Sequence, residues 1–498
     1  MPSAVTTSAP ASPTYASAPF ARAHGITKLT NCRLVRGDEL VWEDLWVSAA
    51  TGKIVRSQAA FYDEHVLPDQ TVDLGGRIVA PGLIECQLNG AFGFNFSTLF
   101  GDEDQGAPKA TYAQRLRALN RRLVQTGVTA YVPTVTSQTS DLYHKVLPFL
   151  APLAGRHARA AADGAESLGA HVEGPFLSPT KNGVHNPEVF RQAATFADVE
   201  AMYGAVNLMP AAASPTDSNS ENETENDNED GHRPAIRMIT AAPELGHMTD
   251  VVFPELHRRG IVCAIGHSEA TYEEAAAAMA HGATMITHLF NAMRPLHHRN
   301  PGIFGVLGEA SVTAPTTTNT GPTTAVEASP RGASRPFFGV IADGIHLHPT
   351  TVKIAYNAHP DGFILVTDAM HMVGLPDGPY DWTNGDRHMR LVKTGKVLLL
   401  EHATTIAGST ITLIECVENF VNWTGSTLPQ ALRTVTATPA AMLGLQGVKG
   451  VLDPGADADL VVLSCEGAAQ ATRLHVDEVW KFGVRVHQRS VDDAETTA

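Results

Sequence analysis

Only five cysteines occur in 498 residues, at positions 32, 86, 263, 416 and 465. They are odd in number and none stands in a C-x-x-C, which argues against a disulfide framework and for a reducing, cytoplasmic setting. Basic residues are also few. Lys and Arg total 36 against 52 acids, a net charge of −16, so the chain lacks the footprint of a nucleic-acid-binding protein. No apolar run approaches the ~20 residues that span a bilayer, and no membrane partner is expected. The first 25 residues hold no acid, yet Arg22 is their only Arg or Lys. That is too few for a transit peptide, and 1–25 is expected to be a disordered tail.

Hydrophobic residues make up 43% of the chain, enough for a large core. The acids are unevenly spread. The run "SPTDSNSENETENDNEDGH" (214–232) holds seven of them and no Lys or Arg; without it the net charge is −9. This run and "SVTAPTTTNTGPTTAVEASPRGASR" (311–335) are too poor in large apolar residues to offset the entropy of ordering them. Both lie between patterned segments. They read as solvated insertions, at 211–233 and 311–335, within one fold.

The remainder has a rhythm. Short apolar or β-branched runs recur as "RIVAPGLIECQLNG" (77–90), "TAYVPT" (129–134), "LGAHVEG" (168–174), "IRMITAAPE" (236–244), "IVCAIGHS" (261–268), "ATMITHLFNA" (283–292), "FFGVIADGIH" (337–346) and "GFILVTDA" (362–369). Helix-like stretches separate most of them. "YAQRLRALNRRLVQTG" has helical spacing and a Gly stop; "SEATYEEAAAAMAHG" opens on Ser268 and closes on Gly282. Eight strands alternating with helices predict a parallel α/β fold, a closed (β/α)8 TIM-like barrel. A doubly wound open sheet is the rival, weakened because no glycine-rich phosphate loop follows the first run.

Polar residues gather at the ends of these runs: Gln87 and Asn89, Glu173, His267, His288, Asp343 with His346, and Asp368. A barrel places its catalytic groups at the C-terminal ends of its strands. Each residue alone has a plainer reading. A strand-end His is commonly structural, Asp368 could cap a helix, and Glu173 could pair with Lys181. Together, one Glu and two His from three strand ends reproduce the two-imidazole, one-carboxylate set of a catalytic zinc site. An Asp on the last strand suits proton transfer beside it. The residues themselves predict a metal-assisted hydrolase and no more.

At these motifs the chain resembles the N-acetylglucosamine-6-phosphate deacetylases of the amidohydrolase superfamily. The matching stretches are "APGLIECQLNGAFGFNF", "HVEGPFLSPTKNGVHNP", "GHSEATYEEA", "THLFNAM", "ADGIH", "LVTDA" and "IAGSTITL", in family order. With the flanks "TNCRLVRGD" and "GVLDPGADADLVVL" the likeness runs from about residue 26 to 488, insertions aside. The resemblance implies that Glu173, His267 and His288 bind one divalent metal ion, zinc first among candidates, and that Asp368 is the acid/base. It implies a substrate-contacting His185 near the acetyl carbonyl, with Val184 beside it. Asn291, Ala292, Arg299 and His346 would hold the sugar phosphate, Asp343 would be a further substrate-binding residue, and Ala407, Gly408 and Ser409 would line the pocket. Many amidohydrolases bind a second metal through His-x-His on the first strand. Here the place reads Gln87–Leu88–Asn89, and neither amide is a usual zinc ligand, so one ion is expected.

The resemblance further implies a homodimer, with Arg299 reaching into the neighbouring subunit's site, and a small amino-sugar phosphate as substrate. Residues 26–80 and 449–490 are expected to pair into one discontinuous β-sandwich beside a barrel spanning 81–448. His171 has no role in the family pattern and is expected to be a core histidine. Two rival functions remain: an amidohydrolase for another N-acetyl sugar or a cyclic amide, and a non-catalytic scaffold of the same fold.

Overall fold

A computed structural model describes residues 21–22, 25–57, 66–99, 111–152, 161–209, 234–308, 335–384, 387–467 and 470–490. The N-terminal tail up to Phe20 and both insertions, apart from Arg335, lie outside the described residues. One correction falls on the tail. Ala21 and Arg22 pair in parallel with Val66 and Leu67 as a two-residue strand.

Eight parallel strands form the barrel in sequence order: Leu83–Leu88, Val128–Thr136, Ala170–Glu173, Ile236–Ala241, Val262–Ile265, Ala283–Ile286, Phe337–Ile341 and Phe363–Val366. Each of the eight apolar runs supplies one of them. The ring closes between strands one and eight through a single parallel bridge, Leu88 with Ala369. Ile84, Cys86, Ala130, Val132, Met238, Ala264, Met285, Ile364 and Val366 form a buried cluster of strand residues, and Ala440, Met442 and Leu443 join it. A hydrogen-bonded belt lies toward the strands' C-terminal ends: Thr134 and Thr240 flank His171, and Thr240 contacts Thr287. That belt accounts for His171. It is fully buried, and burial pushes its ring down to about 4, so it stays neutral as a polar core residue.

The helices follow their local signals. Tyr112–Leu123 starts on a Thr111–Gln114 capping box and stops, after one 3-10 turn, at Gly127 with φ 86°. The helix after strand five begins at Tyr272, capped by Thr271 and Glu274. This corrects the expected start at Ser268, whose hydroxyl donates instead to Glu244. A three-stranded antiparallel sheet, Gly378–Asn384, Arg387–Thr394 and Val397–Leu400, follows strand eight; nothing in the sequence reading named it.

The chain ends form two further sheets. One is built from the N-terminal segment, with Ile26–Thr30 at its centre. The other mixes both ends: Ile78–Pro81 pairs in parallel with Arg33–Leu34 and antiparallel with Leu460–Leu463. A shared core of Leu29, Leu34, Val47, Val79, Leu460, Val462 and Trp480 joins them, so the two ends are interleaved in one packed unit.

Candidate metal-dependent active site

A cavity of about 180 Å³ opens where the strands end. Glu173 ends strand three, while His267 and His288 lie two residues beyond strands five and six. Their ligand atoms converge. Oε1 of Glu173 lies 3.3 Å from Nε2 of His267 and 3.0 Å from Nε2 of His288, and the two nitrogens are 3.1 Å apart. All three residues are buried, at 5% exposure or less. Nδ1 of His267 donates to the Lys181 carbonyl at 2.7 Å, which fixes the ring with Nε2 toward the cluster. Bonds of ~2.0–2.1 Å to a tetrahedral zinc ion set its ligand atoms ~3.3 Å apart. The three observed edges fit that ion, and the one carboxylate and two imidazoles are the donors it takes.

Backbone strain marks the same places. His267, His288 and Asp368 have φ of 49°, 26° and 48°, in the left-handed region that costs non-glycine residues of order 1–3 kcal/mol each. The positive-φ turn directs each side chain over the barrel mouth. Gly408 is needed at this turn: a Cβ there would stand 2.7 Å from the Asp368 carbonyl oxygen, and its φ is 62°.

Asp368 faces the cluster from strand eight. Its Oδ1 accepts from Asn89 at 2.7 Å and from Gln87 at 3.3 Å, and the same Gln87 nitrogen lies 3.2 Å from Oε1 of Glu173. The two amides therefore serve as donors to carboxylates. Burial, helped by the nearby charge of Glu173, pushes Asp368 up to about 6. Burial also acts to raise Glu173, but hydrogen bonds and charge from His267 and His288 outweigh it and hold that carboxylate well below its usual range. For His288 burial pulls down while Glu173 wins and raises it.

His185 closes the far side. The Ser137 N–H donates to its Nδ1 at 3.3 Å, and the Ser137 hydroxyl stands 2.9 Å away. The ring proton therefore sits on Nε2, 3.9 Å from Oε2 of Glu173. Burial keeps this ring neutral by pushing it down to about 3.

The remaining expected residues divide. Val184, Asn291, Ala292, His346 and Gly408 line the cavity with those above. Asp343 stands behind His346, binding its Nδ1 at 2.7 Å, and Ser409 donates to the Thr367 carbonyl behind Asp368. Ala407 is buried in a small core with Trp382. Arg299 is exposed and outside this chain's cavity lining. Lys181 pairs with Glu269, not Glu173, and Asp368 caps no described helix. Sequence reasoning missed Thr136, Gly183, Ile341, Met370, Trp382 and Ile406, which also line the cavity.

The sequence pattern of the amidohydrolase family matches residues 78–486. The chain belongs to the amidohydrolase family. It is 36% identical over 458 residues to N-acetylglucosamine-6-phosphate deacetylase of Danio rerio, covering 92% of this chain and 97% of that one. The Homo sapiens protein of the same name is 37% identical over 458 residues, at 92% and 96% coverage. A solved N-acetyl-D-glucosamine-6-phosphate deacetylase variant from Mycobacterium smegmatis, in complex with N-acetyl-D-glucosamine-6-phosphate, superposes with TM-score 0.66. It has 26% identity and covers 93% of this chain and 99% of that one.

A second acidic cluster, Glu166, Asp457 and Asp459, also brings three carboxylates together. It is not a rival amidohydrolase centre, because the ammonium groups of Lys449 and Lys481 already sit among its oxygens.

Proposed function

We propose that the chain is a metal-dependent hydrolase that removes the acetyl group from N-acetyl-D-glucosamine 6-phosphate, giving D-glucosamine 6-phosphate and acetate, in amino-sugar catabolism. The observation that carries this reading is one cavity lined by the Glu173–His267–His288 cluster, Asp368 and His185. Identity to the named deacetylases over nine-tenths of the chain supports the substrate. A divalent ion held by Glu173, His267 and His288, zinc in this reading, would supply Lewis acidity to a water and to the amide carbonyl.

The chain's own groups do the rest. Asp368 takes a proton from the attacking water as the new C–O bond forms. Asn89 and Gln87 both donate to Oδ1, which leaves Oδ2 for that transfer. His185 presents Nε2–H to the amide oxygen and stabilises the negative charge that develops there. Asp368 then passes its proton to the nitrogen, so the C–N bond breaks to give an amine and not an amide anion.

One ion per chain follows from Gln87 and Asn89, which donate where a second set of ligands would have to accept. Asn291, Ala292 and His346 bind the sugar phosphate, with Asp343 holding the His346 ring. Arg299 reaches the phosphate in the site of a second chain, which makes the working unit a homodimer. Five free cysteines suit a cytoplasmic protein.

The deciding experiment is acetate release by metal-analysed protein from the 6-phosphate and from unphosphorylated N-acetylglucosamine. Strong preference for the phosphorylated sugar is expected. Equal rates point to another N-acetyl substrate, and no release from either points to a scaffold.

A further inference from the structure

The barrel seam between strands one and eight is held in an unusual way. Lower down, Ile84 and Leu365 do not donate to each other's strand: their N–H groups go to the carbonyls of Val435 and Thr434. Higher up, Asp368 N–H donates to the Gln87 carbonyl at 2.9 Å and Asn89 N–H to the Ala369 carbonyl at 2.8 Å. Between these levels the ladder is missing. Its place is taken by side chains: Oε1 of Glu85 accepts from Gln87 N–H at 3.0 Å and from Thr367 N–H at 3.4 Å, and the Thr367 hydroxyl donates to the Gln87 carbonyl at 3.3 Å.

Glu85 is 2% exposed and makes no ion pair among the described residues. Its second oxygen, Oε2, has no hydrogen-bond partner, and Glu85 lines a cavity of about 20 Å³ with Leu123, Thr126 and Leu413. That is room for a single water. A buried carboxyl without a cation is expensive to keep, which calls for a reason. The two N–H groups it holds belong to Gln87 and to the neighbour of Asp368, and the Gln87 amide reaches both Glu173 and Asp368.

We infer that Glu85 is a positioning residue, whose carboxyl replaces the missing ladder at the barrel seam and sets the placement of Gln87 and Asp368 against the Glu173 cluster. The inference rests on the reading of Asp368 as the acid/base. Burial pushes the Glu85 carboxyl up to about 8 against the pull of its two N–H bonds. A carboxamide is therefore a close substitute, keeping an acceptor at Oε1, whereas a hydrocarbon side chain such as leucine leaves both N–H groups unpaired.

The test compares Glu85→Gln, Glu85→Leu and Leu123→Ala as metal-loaded full chains. Leu123→Ala enlarges the same small cavity without touching the seam. Because a displacement near 1 Å can cost on the order of 10²-fold in rate, Glu85→Leu should lose ~10- to 100-fold in kcat with KM and metal content near wild type. Glu85→Gln should restore most of the rate, and Leu123→Ala should lower the melting temperature with kcat kept. If Glu85→Leu does not fold, Glu85→Asp, with its carboxyl drawn back by one methylene, is read the same way. Wild-type kcat in the Leu (or Asp) chain, a Gln chain as impaired as the Leu chain, or an equal kcat loss in Leu123→Ala would overturn the inference. Asp368→Asn is measured alongside. An active Asn chain sinks the acid/base reading itself; an inactive one beside a fully active Glu85→Leu chain sinks the positioning role alone.

Discussion

Nε2 of His267 stands 3.1 Å from Nε2 of His288, and Nδ1, the other ring nitrogen of His267, donates to the Lys181 carbonyl at 2.7 Å. With Oε1 of Glu173 beside them, ligand atoms from three residues converge on one spot, an arrangement suited to a cation. About one divalent metal ion per chain is therefore expected by elemental analysis, with zinc foremost. Glu173→Gln should lose most of it, since the amide removes the only negative ligand. Two tightly held ions per chain would end the mononuclear reading.

Asp368→Asn should keep the metal and bind substrate, while turnover falls at least ~10²-fold, the lower end of what general acid–base catalysis contributes. The amide oxygen can still accept from Asn89 as Oδ1 does, so the loss falls on proton transfer and not on folding. Single-turnover acetate release checks this. Undiminished turnover would assign the proton to another group.

Much of this site was legible because its polar residues interrupt apolar runs at their ends, where a buried strand should stay apolar. Other features left weaker traces. The run at 77–90 reads as one strand, yet it serves two sheets. Gly82 is the joint: a Cβ there would meet the Thr129 side chain at 2.2 Å, so strands one and two approach closely. The sheet carrying Trp382 could have been found from the alternation of "YDWTN" and "RHMRLVKT" and from the "TGK" turn that leads into the third strand, "VLLL". That Trp382 also lines the cavity depends on how the sheet folds back over Met370, which no local pattern records. Thr271 outcompetes Ser268 as a cap because Glu274 stands three residues later. Glu85, an acid inside the first apolar run, carried the same signal, but only the absent ladder beside it reveals its use.

Acid and base stability should be governed by the buried cluster at the junction of barrel and terminal sheets. Oδ2 of Asp459 lies 2.9 Å from Lys449 Nζ and 2.6 Å from Lys481 Nζ, and Lys481 also binds Glu166 at 2.6 Å. Burial disfavours charge on Asp459, but Lys449 and Lys481 outweigh it and hold its pKa below the ordinary value of ~3.9. A depressed carboxyl contributes stability present above its unfolded value and lost as pH falls through the folded one. For Lys449 burial lowers, yet the surrounding carboxylates raise its pKa well above 10.5, so its contribution is lost only at strongly alkaline pH. Asp459→Asn should destabilise the chain by about 3–5 kcal/mol, the cost of stranding buried partners, and should flatten the acid limb of a melting-temperature profile. A variant as stable as wild type would mean that the lysines find other partners.

Arg299 is the exposed residue with the largest expected effect on substrate choice. A guanidinium suits bidentate phosphate recognition, and a hydrogen bond to a charged group is worth ~1.5–3 kcal/mol, about 10- to 150-fold in affinity. Arg299→Ala should weaken the phosphorylated substrate by that order and barely affect N-acetylglucosamine itself. Arg299 lies outside this chain's cavity lining, and in the proposed homodimer it would reach the phosphate in a neighbour's site. Mixing Asp368→Asn with Arg299→Ala chains tests this directly. One site of each mixed dimer then combines an intact Asp368 from its own chain with an intact Arg299 from its partner, and activity should return as subunits exchange. If mixed dimers demonstrably form and activity stays at the level of the separate variants, Arg299 does not act across an interface.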